Sequence, residues 1–215
     1  MFLPTAAALA LLVTWDLSGL DLVLAGLAGG PDGFALRHDW LLTVLLHDAM
    51  RYGSWLLAVV LCLGVWWPIG PLARADFSSR LQLAVTTLAA AAVVALLKGI
   101  SATSCPWDLS EYGGMTPYVP HWSAISDGGP GHCFPAGHAS SGFAFFGGFF
   151  AFRGETPALA RGWLGAATAA GLVLGIGQQL RGAHFMSHTL WSGWLCWLVA
   201  LLIDHAWPSG VAEQP

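Results

Sequence analysis

Long apolar runs alternate with short polar breaks along this chain. Residues 2–24, 54–67, 81–97, 139–152, 162–178 and 189–203 are each dominated by Leu, Ala, Val, Phe, Trp and Gly. An α-helix rises about 1.5 Å per residue and needs roughly 20 apolar residues to cross the hydrocarbon of a bilayer. The pattern therefore predicts an all-α fold, a polytopic membrane helical bundle of about six transmembrane helices. One stretch has a different character: residues 39–51 set Trp40, Leu41, Val44 and Leu45 against His47, Asp48 and Arg51, which reads as an amphipathic helix lying at the interface. The glycine-rich stretch Gly29-Gly30-Pro31-Asp32-Gly33 reads as a loop, and Pro68-Ile69-Gly70-Pro71 closes the second run. The first run lacks a basic start, carries Asp16 and Asp21, and shows no small-residue cleavage site before them, so it reads as a retained helix and not a signal peptide.

Residues 101–137 interrupt the apolar pattern with five Pro and six Gly, together with Asp108, Glu111, His121, Asp127 and His132. A loop of this length between compactly packed spans is uncommon unless it carries function.

Composition sharpens the class. Only 9% of the residues are charged against 56% hydrophobic, and the mean hydropathy is +0.64, well above a soluble domain. The net charge of -4 is scattered, so nothing points to nucleic acid, and the surroundings are membrane lipids. The twelve Trp suit the two interfacial belts. The chain reads as a single integral-membrane domain, 1–215.

Six spans put the even-numbered loops, with Arg74, Arg80, Arg153 and Arg161, on the side of the termini. Arg37, Arg51, Lys98 and Arg181 fall on the other side. The count is even, and it favours the first side as cytoplasmic only if Lys98 and Arg181 are retained for chemistry. The expected location is then a bacterial inner membrane, with the long loop on the periplasmic face.

Three polar stretches converge on that face, each at the end of a span: Lys98 with Cys105-Pro106-Trp107-Asp108; Cys133-Phe134-Pro135-Ala136-Gly137-His138; and Gln178-Gln179-Leu180-Arg181-Gly182-Ala183-His184 followed by His188. Ionisable groups at membrane depth are costly, which makes a functional site the default reading. A helix opening near Gly137 would present unpaired N–H groups and the positive end of its dipole to an anion, phosphate first. A metal reading competes, since His184 and His188 have the i,i+4 spacing of a helical ligand pair that Cys133, His132 and His138 could supplement. Lys98 and Arg181 argue against a cation there. A transporter or a scaffold with a decayed site is the remaining alternative, while His38, His47 and His205 read as interfacial polar residues.

These stretches resemble the type-2 phosphatidic acid phosphatase superfamily, whose motifs are Lys-x6-Arg-Pro, Pro-Ser-Gly-His and Ser-Arg-x5-His-x3-Asp. Lys98 and Pro106 match the first, Pro135, Gly137 and His138 the second, and His184 the third, over residues 81–197. The combination also looks like a bacterial subgroup of lipid A phosphatase-like proteins. Five positions depart: Cys105 stands for the first-motif Arg, Ala136 for Ser, Gly177-Gln178 for Ser-Arg, and His188 for Asp.

The resemblance implies hydrolysis of a phosphomonoester or diphosphate of a lipid, without a cofactor or metal. His184 would attack phosphorus to form a phosphohistidine and His138 would protonate the leaving oxygen. Lys98, Arg181, Gly137, Ala136 and Gln178 would hold the phosphate, Arg181 compensating for a missing guanidinium. The nucleophile needs an acceptor on its other nitrogen, and His188, Asp108 or Glu111 would supply it. Cys105 and Cys133, both in a loop expected to face an oxidising compartment, are expected to be disulfide-bonded and to tie the first motif to the second.

Overall fold

A computed structural model describes residues 1–123 and 125–207. The chain is an all-α bundle whose helical segments run from one end to the other. Helices α1 (Phe2–Leu17) and α2 (Leu20–Gly26) form a pair bent by 65°. The bend falls at Gly19, whose positive φ of 73° is a conformation that glycine adopts without steric cost. Two-residue strands, Gly29–Gly30 and Gly33–Phe34, make a small hairpin.

A π-helical segment, Leu41–Ala49, then runs without a break into α3 (Met50–Leu63). The amphipathic stretch is thus the first half of a bundle helix, Leu41–Leu63, and not a separate helix on the membrane surface. Helix α4 (Phe77–Ile100) is N-capped by Asp76, which accepts the Ser79 N–H at 2.6 Å. After the long loop come α5 (Gly137–Phe143), a 3-10 turn (Ala144–Phe146) and α6 (Gly147–Phe152), followed by α7 (Pro157–Leu180) and α8 (Met186–Ala206).

Among the described residues four helices are long and apolar enough to cross a membrane, Leu41–Leu63, α4, α7 and α8, and the bent α1–α2 pair makes five if it is one span. The remaining segment, residues 137–152, is the short inner column. It packs against α4, α7 and α8 through Phe143, Phe146, Phe150 and Phe152. Close approach to α7 requires glycine: a Cβ on Gly142 would collide with the backbone of Gly171.

The first helix pair is fastened to α8 by its two carboxylates. Asp21 accepts the Ser187 N–H at 3.0 Å, the Ser187 hydroxyl and Trp15 Nε1 at 2.9 Å. Ser187 lies in the first turn of α8, so Asp21 neutralises orphan donors and the dipole of a helix distant in sequence. Asp16 Oδ2 accepts Trp191 Nε1 at 2.8 Å and Trp122 Nε1 at 2.9 Å, and lies 3.3 Å from His121 Nε2.

The loop before α5 is ordered by three ties. Cys105 and Cys133 form a disulfide with their Cα atoms 5.1 Å apart. The buried Asp127 carboxylate accepts both the Ser104 N–H, at 2.7 Å, and its hydroxyl, at 2.9 Å. Tyr112 donates its hydroxyl to Leu22 O at 3.0 Å.

Candidate active site

The end of the bundle that carries this loop gathers the motif residues. Lys98 is in the last turn of α4, Gly137 and His138 open α5, and His184 sits in the turn between α7 and α8. The aliphatic stem of Lys98 passes Gly137 closely enough that a Cβ there would stand 3.4 Å from its Cδ. Helix α5 therefore meets α4 at the motif residues, with the ammonium at their side.

His184 is buried, and its Nδ1 lies 2.8 Å from the Cys133 carbonyl oxygen. A carbonyl only accepts, so Nδ1 carries the proton and Nε2 keeps its lone pair. Among the described residues Nε2 has no hydrogen-bond partner, and it is not among the fully sealed atoms. Burial, with the Lys98 ammonium close by, holds the His184 pKa well below the ordinary imidazole value. The ring is therefore neutral near pH 7, the protonation state a nucleophile needs. The His138 ring centroid is 6.5 Å from that of His184. Both imidazoles are therefore on the scale of a near-attack contact and a hydrogen bond to a single bound phosphate.

The orienting acceptor is thus a backbone carbonyl, and none of the three side chains expected for that role provides it. His188 is fully buried with both ring nitrogens unpartnered, set edge-on among Phe134, Phe185, His121 and His184. Asp108 turns back to its own 3-10 turn and accepts the Cys105 N–H at 3.3 Å. Glu111 is exposed and accepts the Ser110 hydroxyl.

One of the expected phosphate-binding groups is committed elsewhere, and another holds Arg181. Ala136 is wholly buried and its N–H donates to His188 O at 3.1 Å, so it has no donor to offer an anion. Gln178 is buried too, and its Oε1 accepts Arg181 Nη1 at 3.0 Å. That bond fixes the guanidinium, while the Gln178 Nε2 is buried without a partner among the described residues. Arg181 Nε donates to Arg37 O at 3.1 Å, and the rest of the fork stays available.

A cavity of about 450 Å³ opens beside His138, with Lys98, Gly137, His138 and Arg51 at one end and Trp55, Ala58, Leu88 and Ala91 along its wall. Its polar end suits a headgroup and its apolar wall a hydrocarbon chain. The metal reading fits less well. Cys133 is spent in the disulfide, and among the described residues no three His, Cys, Asp or Glu converge as a ligand set.

The sequence reading missed His47, whose ring stacks on His138 with centroids 4.0 Å apart, and Arg51 at the cavity mouth. Their signal was the polar His47, Asp48 and Arg51 on an otherwise apolar helix. Asp16 and Asp21 had a signal as well, two carboxylates in an apolar run. The Cys133 carbonyl had none, because every residue type carries one. His205, by contrast, packs against Phe2, a residue of the first turn of α1.

No curated protein and no solved structure matches the chain. A family model, that of the PAP2 superfamily, matches residues 80–209, which contain every motif position described above. This chain, with its apolar helices and its paired histidines, belongs to the PAP2 superfamily of membrane-associated phosphatases that hydrolyse phosphoric esters.

Proposed function

We propose that this protein is a membrane lipid phosphatase that removes phosphate from a phosphomonoester or diphosphate of a lipid, of the lipid A, polyprenyl diphosphate or phosphatidate type. The observation that carries the reading is the His184 ring, fixed through Nδ1 by the Cys133 carbonyl with Nε2 left free, 6.5 Å from His138. Nε2 attacks phosphorus in line with the leaving oxygen and a phosphohistidine forms. His138 gives its proton to that oxygen, then takes one from the water that attacks phosphorus to release phosphate. A bound phosphate dianion favours the protonated form of His138. Lys98 and the free arm of Arg181 draw off charge from the equatorial oxygens.

The lipid part of the substrate is supported by the apolar cavity wall, and the outer face of a bacterial inner membrane by the disulfide at the same end of the bundle. A count of six crossings belongs to this reading, with residues 137–152 as the short sixth. The test is phosphate release from a panel of these lipids in mixed micelles. The wild type should release phosphate from at least one of them and His184→Ala from none. Turnover unchanged in His184→Ala would refute the mechanism.

A further inference from the structure

The family pattern carries two arginines that this chain lacks. Their positions are Cys105, locked in the disulfide, and Gln178, buried against Arg181. On the other side of the cavity, the helix Leu41–Leu63 brings a guanidinium that belongs to no family motif. Arg51 lines the cavity together with Lys98, Gly137 and His138. Among the described residues no Asp or Glu lines that cavity. Arg51 makes no hydrogen bond or ion pair among the described residues.

One turn earlier on the same helix, His47 lies over the His138 ring, tilted by 33° at a centroid distance of 4.0 Å. Its Nδ1 is 2.6 Å from Asp48 Oδ1. The change from π to α geometry falls between His47 and Arg51, and such widened turns are frequent at functional sites. This turn is therefore seated on the proposed acid, and Arg51 is close enough to bear electrostatically on His138, as Lys98 and Arg181 also are. Two cations, Arg51 and Lys98, face one cavity with no counter-charge in its lining among the described residues.

We propose that Arg51 binds the substrate phosphate, replacing from a different helix the guanidinium that the Cys105 position no longer provides. This rests on the phosphatase reading for the identity of the ligand, but not for the site itself. A planar fork matches two phosphoryl oxygens in a way that an ammonium does not. Arg51 lies one turn before Trp55 of the apolar wall on the same helix.

The test uses the full chain in detergent with inorganic phosphate and orthovanadate as probes, read by direct binding. Arg51→Ala should weaken both by about tenfold or more, the scale of losing one charged hydrogen-bonding partner, and Arg51→Lys should recover part of the loss. Arg161→Ala, near the start of α7 at the far end of the bundle, should bind as the wild type does. Wild-type affinity in Arg51→Ala, or equal losses in Arg51→Ala and Arg161→Ala, overturns the assignment. If the wild type binds phosphate through Arg51 yet releases none from any lipid, the phosphatase reading fails and the Arg51 assignment stands.

Discussion

The disulfide does two things at once, and breaking it separates them. Cys105 and Cys133 are 28 residues apart, and Cys133 is also the residue whose carbonyl holds His184. Closing a loop of this length removes about 12 cal/mol/K from the unfolded chain, or about 3.6 kcal/mol at 25 °C. The Cys105→Ser, Cys133→Ser double variant should lose a stability of that order in reversible mixed-micelle unfolding. Cys62 and Cys196 are free thiols and remain as internal controls. The backbone carbonyl survives the substitution, so any effect on turnover reports how firmly the loop is held. A nucleophile displaced by even 1 Å typically costs about 100-fold, and kcat should fall by about 10- to 100-fold. Reductant should reproduce both effects in the wild type and neither in the double variant. A double variant with stability within about 0.5 kcal/mol of wild type and an undiminished kcat would refute the claim that the bridge organises the site.

Three further outcomes follow from single residues. Burial lowers the His184 pKa, so the folded ring stays neutral while the unfolded one takes up a proton near its ordinary value of about 6.5. Its contribution to stability is thus present above about pH 6.5 and is lost as pH falls toward the lowered folded value, by up to about 1.4 kcal/mol per pH unit. Unfolding of wild type and His184→Phe at pH 7.5 and 5.5 should show the steeper acid loss in the wild type, and equal slopes would contradict this. Asp21→Ala removes the cap that a distant helix pair places on Ser187, and should cost about 1–2 kcal/mol in the same unfolding assay with little effect on substrate affinity. Arg181→Lys keeps the charge but loses the bonds to Gln178 and Arg37 O, so it should lower kcat/KM more than Arg153→Lys, whose partner is Asp204 at the far end; equal small effects would make Arg181 an anchor only.

The part of the site legible in the sequence was the part whose chemistry depends on side-chain identity at fixed spacing. Lys98, Gly137, His138 and His184 could be read because their intervals survive along the chain, and the structure brings them together at one end of the bundle. Cys105 and Cys133 could be matched because no other cysteines share their loop. What escaped was set by tertiary contact. A helix with His47 and Arg51 on its polar side looks interfacial until its neighbours show that this side faces a cavity. Ala136 and Gln178 stood at motif positions, but the Ala136 N–H is used by His188 O and the Gln178 oxygen by Arg181. The orienting acceptor was sought among side chains because a carboxylate is absent from position 188, and a backbone carbonyl filled the role.

The helical class followed from hydropathy alone, whereas helix ends did not. Residues 39–51 and 54–67 look like two elements because the polar residues between them interrupt the apolar run, yet backbone hydrogen bonding continues through them. The break after Leu17 is placed by Gly19 and by two carboxylates turned inward to α8, contacts between residues more than 160 apart in sequence.

The central claim is that His184 Nε2 becomes phosphorylated. Rapid acid-free quenching of the wild type with the phosphate-labelled lipid it turns over fastest, followed by peptide mapping, tests this directly. The account predicts an acid-labile, base-stable phosphoryl group on the peptide containing His184, absent from His184→Ala and longer-lived in His138→Ala. Steady hydrolysis with no label on that peptide, or label on His138 or His188 instead, would contradict it.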